Sequence, residues 1–179
     1  MTTNKSRRVL HLVVCAAPPS QSITELIDLL HADLWDVYVI ATPTAMTWIS
    51  QLEIEQRTGR PVLHQQRHPN APKSLPIAHA VAVVPATFNT INAWANGIND
   101  TLALAILNEA LSAKVPVFAS VYAKATLVSH PAFAEHLRLL RSAGVRFTDV
   151  EALRPQVPND PFRWQSVIEV LRNVSLPQL

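Results

Sequence analysis

Residues 81–111 read VAVVPATFNTINAWANGINDTLALAILNEAL, and this stretch decides the fold. An apolar run ends at Pro85, a short polar turn follows, and a helix-forming segment interrupted at Asn96-Gly97 comes next. That order is a buried strand delivering a polar turn to the start of a helix, where free backbone N–H groups receive a phosphate or a cofactor.

The same alternation extends outward in both directions. Val9 to Cys15 is a β-branched and Leu-rich run, short enough for a buried parallel strand. After a turn at Ala16 to Ser20, Ser20 or Ser22 caps a helix whose apolar positions are Ile23, Leu26, Ile27 and Leu30. Trp35 to Ala41 is the next strand, followed by a polar turn at Thr42-Pro43-Thr44 and a helix from about Ala45 to Arg57, capped by Gly59. Residues 61–78 hold four prolines and read as a loop, with room for a short strand at Val62-Leu63. Ala80 to Val84 is a strand, and Asn89 to Ala113 is helical in two pieces divided at Gly97. Strand Val115 to Ser120, helix Pro131 to Ala143, strand Val145 to Phe147 and helix Phe162 to Asn173 complete the series.

Apolar strands that run continuously, each followed by a helix, predict a parallel sheet covered on both faces. The expected fold class is α/β, a Rossmann-like three-layer sandwich with a central parallel sheet. A chain of 179 residues has room for one such domain. Residues 1–7 are expected to fray, and residues 155–179 to form a C-terminal extension and helix.

Composition removes several function classes. Gly59, Gly97 and Gly144 are the only glycines, so neither GxGxxG nor GxxxxGK[ST] is present. Cys15 is the only cysteine, which excludes an intrachain disulfide and a cysteine-based zinc site. The basic residues are scattered at a net charge of +2, which argues against nucleic acid. Without a membrane-length apolar run or a cleavable leader pattern, the expected location is cytoplasmic. With 49% apolar and 16% charged residues, an oligomer is expected. His64 and His68 have i,i+4 spacing but lack the metalloprotease glutamate, and they read as ordinary loop residues.

In a doubly wound sheet, ligands bind beyond the carboxyl ends of the strands. The turns at residues 16–22, 42–47 and 85–90 would gather there, offering Ser20, Ser22, Thr42, Thr44, Thr47, Thr87, Asn89 and Thr90. Each alone is an ordinary helix cap. Three such turns on one edge point to a nucleotide-type ligand held by neutral donors and helix-start amides. Trp48 and Trp94 have faces suited to a planar ring, and equally to a core or an interface.

The pattern Pro85-Ala86-Thr87-x-Asn89-Thr90, followed by Ala95-Asn96-Gly97-Ile98-x-Asp100, resembles that of the flavin-containing cysteine decarboxylases. A looser likeness covers residues 8–150, through Thr42, Thr44, Pro116 and His130-Pro131. It implies FMN held by Ser20, Thr42, Thr44, Ala86, Thr87, Asn89 and Thr90. Asn96 and Asp100 would lie near the isoalloxazine and the subunit contact of a homotrimer or a multiple of trimers. The implied substrate is a small molecule or peptide with a cysteine-like carboxylate, oxidised and decarboxylated. The related prenyl-FMN synthases carry a Gly/Ser-rich first loop that Ala16-Ala17-Pro18-Pro19 lacks.

The departures concern catalysis. Counting back from Pro85 to the family's active-site histidine lands on Ala71, with His68 three residues earlier as a candidate substitute. Lys124 stands where the family's substrate-binding asparagine is expected, and a cation there favours an ionised acid. Cys15, at the end of the first strand, reads as core rather than as the cysteine of a late flap. Three readings follow: an FMN-dependent decarboxylase, an FMN-binding or regulatory protein without catalysis, and a flavin reductase or flavin-modifying enzyme. No second nucleotide motif supports the third.

Overall fold

The computed structural model describes residues 7–68, 70 and 75–173. The expectations for residues 1–6, for Ala71 and for residues 174–179 lie outside them.

Among the described residues, five parallel strands form one sheet in the order β2-β1-β3-β4-β5. They are β1 (Arg8–Val14), β2 (Trp35–Ala41), β3 (Ala80–Ala86), β4 (Val117–Val121) and β5 (Arg146–Phe147). The helices are α1 (Ile23–Ala32), α2 (Gln51–Thr58), α3 (Phe88–Ala95), α4 (Leu102–Ser112), α5 (Ala125–Val128), α6 (Pro131–Ser142) and α7 (Gln165–Arg172). The Rossmann-like α/β sandwich read from the sequence is therefore the fold observed.

Strand periodicity divides the core between two faces. Ala80, Ala82 and Val84 of β3 join Leu10, Leu12 and Val14 of β1 beneath α1, α2 and α7. Val81 and Val83 join Val13, Cys15, Val117, Ala119 and Val121 beneath α3, α4 and α6. Every residue of β3 is buried, which is why its sequence shows no polar alternation. The helix after β1 covers one face and the helix after β3 covers the other. The two connections diverge between neighbouring strands, the switch point at which doubly wound sheets open a crevice.

Local chemistry moved several boundaries. The expected helix from Ala45 to Arg57 is interrupted, because a short 3-10 turn ends at Thr47 and α2 starts at Gln51. Ser50 caps α2, its hydroxyl accepting from Glu53 N–H. The expected strand at Val62-Leu63 reduces to one bridge, Leu63 to Ile40. Strand β3 runs on to Ala86 through an irregularity in its pairing with β4. The closing helix is shorter than expected at both ends. The break at Asn96-Gly97 is as expected. Gly97 has φ 68°, and the Gly97 and Ile98 N–H groups donate back to the Trp94 and Ala93 carbonyls. That is a Schellman closure, which favours glycine at the left-handed position.

His11 of β1 is buried, and its Nε2 donates to the Pro76 carbonyl at 3.1 Å. Burial pulls its pKa below the ordinary 6.5, against the smaller upward pull of that hydrogen bond. The unfolded chain therefore binds this proton more readily, so stability is lost as pH falls through and below about 6.5. His31 is depressed in the same direction by burial and by Arg7. In His11→Gln, unfolding midpoints at pH 7.5 and pH 5.0 should lie closer together than in the parent. An unchanged gap would assign the pH dependence elsewhere.

No helix among the described residues is long and apolar enough to cross a membrane.

Candidate functional site

The carboxyl ends of the four longer strands are tied into one row by backbone hydrogen bonds. Thr42 N–H donates to the Val14 carbonyl at 2.9 Å, Cys15 N–H to Pro85 at 3.2 Å, and Tyr122 N–H to Ala86 at 2.9 Å. The turns after β1, β2, β3 and β4 thus form a continuous edge, with the switch point between β1 and β3 in its middle.

The turn after β3 is the most ordered by side chains. Thr87 is extended and caps α3, its Oγ1 accepting from Thr90 N–H at 3.4 Å and donating to Thr90 Oγ1 at 3.1 Å. Beneath it the Cys15 thiol donates to the same Thr90 oxygen at 3.3 Å. Burial drives the Cys15 pKa up, only partly offset by Thr90 and Thr87. The thiol is a neutral support beneath the turn, as expected of a core cysteine. Ala86 contributes backbone alone, and Asn89 stands exposed on the first turn of α3.

Thr42 Oγ1 accepts from Ala45 N–H at 3.3 Å, shaping the turn after β2. Thr44 is exposed, and its carbonyl accepts from Thr47 Oγ1. Ser20 lies in the 3-10 turn after β1, which packs against β3. It is fully buried, yet its hydroxyl has no hydrogen-bond partner among the described residues. A buried hydroxyl left unpaired is costly, so this one is a candidate partner for a ligand or a buried water, as are the unpaired Trp35 and Trp94 indole N–H groups elsewhere in the core. Ser22 occupies the N-cap of α1 without a side-chain bond.

Of the remaining predicted residues, Asn96, Asp100 and His68 are not drawn into this row within the chain, whereas Lys124 stands in the turn after β4. Asn96 caps the far end of α3, nine residues beyond Thr87, which is roughly 14 Å along a helix axis. Its Nδ2 donates to the Asn92 carbonyl at 2.7 Å and faces His136 Nε2 at 3.3 Å. His136 Nδ1 meets Asn92 Oδ1 at 2.7 Å, so Asn96 belongs to a contact between α3 and α6. Asp100 is exposed beyond that end. His68 is exposed in the loop before β3, and Lys124 is exposed at the N-cap of α5. Trp94 is core, whereas Trp48 is partly exposed beside the turn after β2. Among the described residues, no group of His, Cys, Asp and Glu is placed to hold a metal.

Sequence reading missed Tyr122 and Arg154. The Arg154 guanidinium carbon lies 4.5 Å from the Tyr122 ring centroid, and Nη2 donates to the Ala123 carbonyl at the end of β4. Sequence proximity to Glu151 was its only visible signal, and that reads as a local ion pair.

Turns gathered at the switch point of a parallel sheet define a class, the doubly wound α/β proteins, whose crevice lies at the carboxyl edge. The chain belongs to the Flavoprotein family, whose model matches residues 1–169. It is 28% identical over 160 residues to the coenzyme A biosynthesis bifunctional protein CoaBC of Thermococcus kodakarensis, covering 81% of this chain and 38% of that protein. The chain therefore spans well under half the length of that curated relative. Among solved structures, the FMN-dependent cysteine decarboxylase SpaF superposes with a TM-score of 0.73 at 20% identity, over 92% of this chain and 95% of its own. A PPC decarboxylase mutant complexed with pantothenoylaminoethenethiol gives 0.75 at 14% identity, over 93% and 97%. The FMN binding protein AtHal3 gives 0.74 at 14% identity, over 94% and 99%. At these identities the likeness establishes the fold.

Proposed function

We propose that this chain binds FMN along the edge between β1 and β3 and oxidatively decarboxylates a cysteine-like carboxylate. The observation that carries the cofactor half is the buried, unpartnered Ser20 hydroxyl in the turn that packs against β3, the strand that delivers the Pro85–Thr90 motif. The residues present fit the cofactor. Ser20, Thr42, Thr44, Ala86, Thr87, Asn89 and Thr90 would hold it, with neutral hydroxyls and main-chain groups suited to a phosphate monoester and a ring. Bound FMN supplies the acceptor for two electrons, which no side chain here provides. The chain's part is to bind, orient and keep water out. The Cys15–Thr90–Thr87 stack fixes the α3 cap, and Lys124 and His68 are the candidates on the substrate side.

Asn96 and Asp100 would act from a neighbouring copy, in a homotrimer or a multiple of trimers. Their exposure at the far end of α3 supports that role.

A second reading is an FMN-binding protein without turnover. It is favoured by the exposed Lys124 in place of an asparagine and by the burial of the only thiol. The discriminating experiment incubates purified, FMN-loaded protein with cysteine-terminated peptides and with small cysteine-bearing acids. Loss of carbon dioxide plus two hydrogens by mass supports the decarboxylase. A yellow protein that leaves every such compound intact supports the second reading. Protein that does not take up FMN sinks both.

A further inference from the structure

The chain beyond β5 returns across the carboxyl edge of the sheet. Thr148 Oγ1 and Ser120 Oγ share a buried hydrogen bond of 2.8 Å, and Leu153 is fully buried in the face covered by α1 and α7. Tyr122 and Phe162 meet edge to face with centroids 5.9 Å apart. Arg154 stands on this returning segment, stacked over Tyr122 and bonded to the Ala123 carbonyl. Tyr122 N–H in turn donates to Ala86, the residue before the Thr87 cap. The guanidinium is thus fastened to the strand end beside the proposed cofactor turn. The turns at residues 15–22, 42–50 and 86–90 carry no cation at all, so Lys124 and Arg154 concentrate positive charge at one end of a neutral edge.

We propose that Arg154 is the receptor for the substrate's carboxylate, and that the Glu151 carboxylate holds its place until substrate displaces it. This inference rests on reading the chain as acting on a cysteine-like carboxylate. Three observations carry it. Among the described residues Nη2 donates to Ala123 and Nε faces only the Glu151 carboxylate, so once Glu151 is displaced the Nε edge and the Nη1 group are open to another carboxylate. Glu151 already shows that a carboxylate fits, with Oε2 2.6 Å from Nε. Its side chain is 67% exposed against 32% for Arg154, and an exposed pair of this kind is weak enough to be exchanged. Meanwhile the Tyr122 ring and the Ala123 carbonyl keep the guanidinium in position, so little ordering remains for substrate to impose. The ligand class follows: a free acid, in preference to its amide or ester.

The test is binding of N-acetylcysteine and of its carboxamide to the full chain, by calorimetry or NMR titration, with no turnover required. The acid should bind about tenfold more tightly than the amide, the worth of one charge-assisted hydrogen bond. Glu151→Gln should tighten the acid a few-fold and leave the amide unchanged, a gain that a merely structural salt bridge would not give. Arg154→Gln should erase the preference for acid, and Arg154→Lys should restore part of it, with thermal unfolding run on each variant. Equal binding of acid and amide, no binding of the acid, or weaker acid binding in Glu151→Gln would overturn the proposal. Intact acid preference without decarboxylation would count against the reaction and leave the receptor standing. Decarboxylation without acid preference would do the reverse.

Discussion

Replacing Phe133 with alanine is expected to remove about 3–5 kcal/mol of folding stability, the range for deleting a buried aromatic. Its ring is fully buried in the face covered by α3, α4 and α6. It stacks on Phe88 with centroids 5.4 Å apart and planes at 28°. Phe88 is the first residue of α3, next to the Thr87 cap, and it also meets His130, the N-cap of α6, edge-on at 5.8 Å. One ring therefore fixes the starts of two helices, one of which carries the proposed cofactor turn. The midpoint of urea unfolding should fall with little change in slope. FMN affinity should fall as well, because the α3 cap loses its underlying support. A stability loss below about 1 kcal/mol would mean that neighbours collapse into the space, and that Phe133 does not position the turn.

Ser20→Ala should move two observables in opposite directions. Without ligand, removing a buried hydroxyl that has no partner should stabilise the protein by about 1 kcal/mol. With FMN, the lost donor should weaken binding about tenfold. The pairing is the informative part. A residue needed only for packing would lower stability or leave both unchanged, whereas a donor reserved for a ligand separates them. Parallel unfolding curves and flavin titrations decide the matter, and unchanged FMN affinity would remove Ser20 from the site.

Much of this fold was legible because its strands are buried on both faces. Val9 to Cys15, Trp35 to Ala41 and Ala80 to Val84 read as apolar runs broken only at His11 and Asp36. The interruption at Asn96-Gly97 was visible because a left-handed closure favours glycine. The break before α2 was not read, since Ser50 lies between Ile49 and Leu52 in a run with helical spacing, and it is the extended backbone at Ser50, whose hydroxyl caps α2, that separates the two turns. At the candidate site, the threonines after β2 and β3 were readable because caps depend on residues three apart. Arg154 was not. Its partners Tyr122 and Ala123 lie about thirty residues earlier, and only the returning chain beyond β5 brings them together. Asn96 shows the opposite limit. The motif singled it out, but the His136 contact that occupies it comes from a helix whose facing surface no local pattern reveals.

The sealed sulfur of Cys15 also makes the native chain a blank background for chemical labelling. It is the single thiol, fully enclosed, and its proton is held tightly. A maleimide should leave the folded protein untouched and mark only molecules that have opened, so adduct accumulation becomes a clock for opening events. A cysteine introduced at the partly exposed Trp48 would then be the one accessible attachment point for a probe beside the carboxyl edge.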